Sequence, residues 1–213
     1  MNAVIRLEGV GFRYNRPRTV VFDDLNLALV YGTLQPQTGT IRIDQRAVPG
    51  YRDIFFLSER FGINQELSLR QNLEFRCRLF GVDIPPVLAD PLIREFKLAK
   101  HIDKPCGKLS AGLFMRANIV AGLVFSPSLI MLDEPANSMD PATRELLLQV
   151  LKRQHDDGRT VALVTHDLEF AYEISHRLIV LDEGEIVIDD RNPGLTGLDE
   201  FRQAYLKFTE GTE

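Results

Sequence analysis

Apolar positions between residues 3 and 29 alternate with polar ones or cluster with β-branched neighbours: Val4, Ile5, Leu7 and Val10, then Val20, Val21, Phe22, Leu25, Leu27 and Leu29. That spacing predicts strands, and residues 40–44 continue it. Residues 51–57 read as another short buried strand. From residue 68 to 79 the apolar period becomes helical, Pro85 and Pro86 break it, and a second helical stretch covers 87–97. After Ser110 the chain alternates: helix 111–124, strand 129–132, helix 141–155, strand 160–165. Such alternation predicts an α/β protein with a parallel sheet flanked by helices. Asp140 before Pro141 is a good helix start, and Gly158 closes that helix. Residues 177–189 read as two strands joined at Glu183 and Gly184, followed by a short amphipathic helix carrying Leu198, Phe201, Tyr205 and Phe208. Neither an internal repeat nor a low-complexity linker interrupts the chain.

With 213 residues, 45% hydrophobic and 26% charged, the sequence suits one globular domain with a substantial core. A formal charge of -5 gives no general attraction to phosphate backbones or anionic lipid surfaces, so no nucleic-acid partner is expected. Cys77 and Cys106 lack CxxC spacing and suggest neither a disulfide framework nor a zinc site, which fits a reducing cytosol. The first residues, MNAVIRLEGVGFRY, lack a signal peptide's basic start and apolar core. The longest apolar run, residues 119–125, is far too short to span a bilayer, so a membrane role is expected to come through a partner.

Candidate chemistry concentrates in SLIMLDEP, residues 128–135, where a buried strand delivers Asp133 and Glu134 to its carboxyl end. Ligands of α/β sheets bind at that edge. A carboxylate at Asp133 can hold Mg²⁺, and Glu134 is placed to orient or deprotonate a water attacking a γ-phosphate. Taken alone, the octapeptide is more often a surface turn after a buried strand. It continues into ANSMD, however, and about thirty residues on the strand VALVT ends at His166, again at a sheet's ligand edge. A lone histidine after a strand is more often a cap or packing residue; beside Asp133, Glu134 and Asp140 it reads as a γ-phosphate sensor. Upstream, KLSAGLFMRANIVAGLVF places Ser110 at a helix start whose free N–H groups favour an anion, with small residues Ala111 and Gly112 permitting close approach.

These ordered motifs resemble the ATP-binding cassette (ABC) transporter family: LSAGL its signature, LIMLDEP its Walker B, SMD its D-loop and His166 its switch histidine. The resemblance implies a P-loop NTPase-like parallel core with an antiparallel β subdomain and an α-helical subdomain at about residues 60–108, all in one nucleotide-binding domain spanning 1–213. It implies ATP and Mg²⁺ as cofactors, with Asp133 as the Mg²⁺ residue, Glu134 as general base and His166 as γ-phosphate contact. Tyr14 in GFRY falls where the family stacks an aromatic on adenine, although a strand tyrosine fits the core equally well. Glu59 falls at the Q-loop, where glutamine is usual, and would link the metal to the membrane partner. Ser110, Ala111 and Gly112 would meet the nucleotide of an opposite protomer, with Asp140 in the adjoining D-loop. Ala111 and Leu113 replace the commoner glycine and glutamine, as in subunits of single-cassette exporters.

One motif is missing. After the predicted strand LNLALVYG the family places GxxxxGK[ST] and a helix, whose N–H groups wrap the phosphates while the lysine neutralises them. Here Gly32, a candidate nucleotide contact, runs directly into TLQPQTGTIRID, and the first lysine in the chain is Lys97. Roughly twenty residues, the loop plus a typical helix, are absent. The short connection leaves no room for a helix, so an apolar sheet face is expected to need another cover.

The resemblance implies an ATP-binding and hydrolysing subunit that dimerises with another cassette and docks on a transmembrane permease at the cytoplasmic face, with catalysis impaired by the missing loop. The alternative is a pseudo-ATPase that offers its signature in trans to an intact homologous partner. Cassette proteins of DNA repair or translation bring tandem cassettes, coiled coils or basic arms, none of which this sequence carries.

Overall fold

A computed structural model describes residues 5–11, 38–58, 62–137, 139–182, 185–191 and 197–209. The first half supplies β1 (Ile5–Gly11), β2 (Thr38–Ile43), β3 (Ile54–Leu57), and the helices α1 (Leu69–Phe80), α2 (Ile84–Leu88) and α3 (Pro91–Glu95). The second half runs α4 (Ala111–Leu123), β4 (Leu129–Asp133), α5 (Pro141–Asp156), β5 (Thr160–Val164), α6 (Leu168–Ile174), β6 (Leu178–Asp182), β7 (Glu185–Asp190) and α7 (Leu198–Thr209). Two compact units result: Gln45–Ala162, and Met1–Asp44 with Leu163–Glu213.

The Gln45–Ala162 unit is built on β4, whose residues Leu129 to Leu132 are all fully buried. An uninterrupted apolar run with no polar alternation is what a strand covered on both faces requires. β3 lies beside it in parallel, Ile54 opposite Leu129 and Leu57 opposite Leu132. Thr160 at the start of β5 donates its N–H to Ser128 O at 2.9 Å, giving the order β3-β4-β5. Helix α4 packs on this sheet so closely that a Cβ on Gly122 would overlap the Phe55 ring.

Helix ends follow local chemistry. Ser68 and Gln71 form a reciprocal capping box at the start of α1, and Gly81, at φ +68°, takes the left-handed conformation that ends it. Asp140 caps α5, Pro141 occupies its first turn, and Gly158 at φ +85° stands just beyond it.

Several expectations need correction. Residues 51–53 form a single 3₁₀ turn, so strand β3 begins only at Ile54. Pro85 and Pro86 do not break a helix but start the short α2, because proline suits a first turn. The predicted helix 87–97 is divided at Asp90, which caps α3 by accepting from Leu92 N at 2.8 Å. Helix α6 was not expected; Asp167 caps it by accepting from Phe170 N at 2.9 Å.

In the other unit β1 and β2 pair antiparallel, Ile5 opposite Ile43. β6 and β7 form an antiparallel hairpin, clamped by Arg177 donating from Nε and Nη2 to both carboxylate oxygens of Asp189 at 2.8 Å. Phe201 of α7 is buried and stacks obliquely on Tyr172 of α6, ring centres 6.1 Å apart. The predicted strand around residues 20–29, the connection following Gly32, and Glu183 and Gly184 lie outside the described residues.

Candidate functional site

Strand β4 carries Asp133 to the carboxyl edge of the parallel sheet, where the side chain stays buried at 7% exposure. The register that sets Leu57 opposite Leu132 brings the end of β3 to the same edge. Glu134 follows at φ +46°, a left-handed conformation held by only three non-glycine residues among those described. Such a backbone costs on the order of 1–3 kcal/mol and persists only where its surroundings enforce it. Two turn bonds follow it, Asn137 N–H to Glu134 O at 3.2 Å and Met139 N–H to Ala136 O at 3.1 Å.

Asp140 ends this turn. Its Oδ1 accepts from Thr143 N at 3.0 Å and its Oδ2 from the Thr143 hydroxyl at 2.7 Å, and Arg116 Nη2 also donates to Oδ2. The Thr143 hydroxyl, then the Thr143 amide, and then Arg116 hold the carboxyl down at about 2. It is ionised at any ordinary pH.

Arg116 belongs to α4, the helix opened by Ser110. The Ser110 hydroxyl caps that helix, accepting from Leu113 N at 3.4 Å; Ser110 and Ala111 are exposed and Gly112 is half-buried. The helix start is thus free on its outer side while everything from Ala117 onward is buried. Three further bonds fix it. Asn118 accepts from Ile63 N at 2.8 Å while donating to Phe114 O at 3.0 Å, and Arg76 Nη1 donates to Ala121 O at 2.7 Å. A second buried asparagine, Asn72, accepts from Asn64 N at 2.8 Å and donates to Ser68 O at 2.9 Å, tying the segment after residue 62 to α1.

Of the residues expected from sequence, Asp133, Glu134 and Asp140 lie on one strand–turn–helix connection, and Arg116 joins that connection to the Ser110 helix. His166 is exposed two residues past the end of β5, in the compact unit that holds Leu163–Glu213. Tyr14, Gly32 and Glu59 lie outside the described residues. Sequence reasoning missed Arg116 and Asn118. The signal was present for Asn118: an amide inside the apolar run ANIVAGLV must find partners if that helix is buried.

The cation side of this arrangement fits Mg²⁺. No group of three or more His, Cys, Asp or Glu side chains among the described residues could hold a metal by itself. Mg²⁺ is characteristically bound by one or two carboxylates together with phosphates and water, and Asp133 supplies one buried carboxylate at this edge. The phosphate side does not fit in the same way, since the chain has no GxxxxGK[ST] and no lysine before Lys97.

The sequence model of the family described as ABC transporter matches residues 26–137, more than half of the chain. "Nod factor export ATP-binding protein I" of Burkholderia thailandensis is 29% identical over 170 residues, covering 76% of this chain and 56% of that protein. "Daunorubicin resistance ATP-binding protein DrrA2" of Streptomyces coeruleorubidus is 33% identical over 138 residues, covering 64% of this chain and 43% of that protein. The chain spans about half the length of the curated relatives it matches. A solved structure described as "Structure of ATP binding subunit of ABC transporter" superposes with a TM-score of 0.74 at 22% identity, covering 87% of this chain and 82% of that one. The fold is therefore that of a P-loop NTPase-like cassette: a parallel core with helices and small antiparallel sheets.

Proposed function

Since this chain belongs to the ABC transporter family, we propose that it is the ATP-binding subunit of an ABC transporter whose own hydrolysis is impaired. The observation that carries this reading is the connection from Asp133 through Glu134 to Asp140, joined by Arg116 to the Ser110 helix. In this reading Asp133 holds Mg²⁺, Glu134 is the general base and His166 contacts the γ-phosphate. Glu59 relates the metal to the membrane partner, and Tyr14 and Gly32 face the nucleotide. Ser110, Ala111 and Gly112 meet ATP bound to a second cassette, beside the loop ending at Asp140. Residues 1–213 act as one nucleotide-binding domain with a helical part at about 60–108.

The described residues include no helix long and apolar enough to cross a membrane. The permease is a separate subunit in this reading, and the cassette sits at its cytoplasmic face. The names of the relatives, export and drug resistance, favour outward transport.

Impairment follows from charge. A γ-phosphoryl group transferred to water, with ADP leaving, loses most of its electrostatic stabilisation when the N–H cradle and its lysine are missing. The purified chain is expected to turn over ATP at background; robust hydrolysis would reject this. The missing loop also favours a second reading, a pseudo-ATPase whose LSAGL segment serves ATP held by an intact partner. That reading predicts one active site per heterodimer, and a mixture whose ATPase activity survives Ser110→Ala would reject it.

A further inference from the structure

Two segments that sequence separates by the whole of β4 meet at one side chain. Arg116 lies in the second turn of α4 and reaches the carboxylate of Asp140, the cap of α5. The pair is asymmetric: the Arg116 side chain is 16% exposed and that of Asp140 is 50%. Asp140 is held from its own helix by both the amide and the hydroxyl of Thr143, so it presents Oδ2 in a preset direction. Arg116 Nε is buried with no hydrogen-bond partner among the described residues, and it is Nη2 that reaches Asp140.

We infer that Arg116 is a positioning residue, locking the turn of residues 134–140 to the Ser110 helix so that both are presented to a ligand or partner as one surface. Three features support a lock rather than an incidental surface pair. The arginine is largely buried, its helix is fixed further along by Asn118 and Arg76, and the receiving carboxylate is also held by Thr143 of its own helix. A surface pair between two mobile chains would order neither segment. Removing only one member here leaves the other badly placed, most severely a buried guanidinium without its counter-charge.

The functional consequence rests on the reading given above, but the lock itself does not, and the test separates them. Amide hydrogen exchange is measured by mass spectrometry on the full chain and on Arg116→Leu, Arg116→Lys, Asp140→Asn and Arg116→Leu/Asp140→Asn, without nucleotide. Asparagine keeps the helix cap and removes only the charge. Arg116→Leu is expected to speed exchange of residues 137–144 about ten-fold, equivalent to about 1.4 kcal/mol of lost protection. Asp140→Asn should likewise speed exchange of residues 114–117, the double variant should match the larger single effect, and lysine should restore part of it. Changes confined to each variant's own helix, or effects that multiply in the double variant, would overturn the inference.

In a second arm, ATP- and Mg²⁺-dependent association with a cassette subunit carrying GxxxxGK[ST] is followed by sedimentation. Weaker association of Arg116→Leu at an unchanged melting temperature, rescued by lysine, supports positioning; undiminished association overturns it. No association by the wild-type chain, alongside coupled exchange, would overturn the functional reading alone.

Discussion

Asn118 offers a quantitative test of how the Ser110 helix is held. Its side chain is 4% exposed and its Oδ1 is the acceptor for Ile63 N–H at 2.8 Å. Asn118→Ala strands that donor, which costs about 1–3 kcal/mol. The lost packing adds roughly 1 kcal/mol, as for other buried truncations of a few atoms. A total near 3 kcal/mol lowers the melting temperature of a chain this size by about 6–12 °C. Gly62 makes the test sharper, because a Cβ there would overlap Asn118 Oδ1. Gly62 is not at positive φ, so alanine is tolerated by the backbone and its cost is the collision, about 1–3 kcal/mol. In the double variant the new methyl enters the space vacated by the amide. The cycle should therefore be non-additive by about 1–3 kcal/mol, with the double variant no less stable than Asn118→Ala. Urea unfolding of the four proteins measures the cycle, and exchange at Ile63 reports the bond itself. A loss below about 0.5 kcal/mol for Asn118→Ala, the range of neutral surface changes, or additive effects, would refute the reasoning.

Other outcomes follow from the same contacts. Gly122→Ala should destabilise by about 1–3 kcal/mol, since its Cβ meets the Phe55 ring, and Phe55→Leu should recover part of that loss; thermal melts compare the three. The Asp140 carboxyl is depressed in the folded protein, to about 2, so its contribution is complete above the unfolded value of about 4 and is lost as pH falls through about 2. Wild type should accordingly exceed Asp140→Asn in stability at pH 5 by more than at pH 2, read from paired melts. Ser110→Ala removes the cap bond to Leu113 N and should cost about 1 kcal/mol, while Ser110→Asn should cost little.

Local chemistry made much of the molecule legible in the chain. Ser110 and Asp140 are cap residues because serine and aspartate oxygens satisfy free helix N–H groups within a few residues, a contact that needs no tertiary information. The run LIML announces a strand buried on both faces, and the two carboxylates after it must emerge at its end. Elements whose length is set by a cap or a glycine matched closely; those set by competing signals did not. Residues 87–97 have a helical period, but the cap at Asp90 restarts the helix, and periodicity cannot see that break.

Tertiary structure decided the rest. That Arg116 reaches Asp140 across 24 positions, that Asn118 takes the N–H of Ile63 across 55, and that Gly122 must be small to admit Phe55 all depend on which faces the sheet and helices bring together. The left-handed backbone at Glu134 is of the same kind: nothing in the local sequence favours it. A cap is a bond between near neighbours and can be read along the chain, whereas a lock between distant segments exists only once packing has fixed both ends.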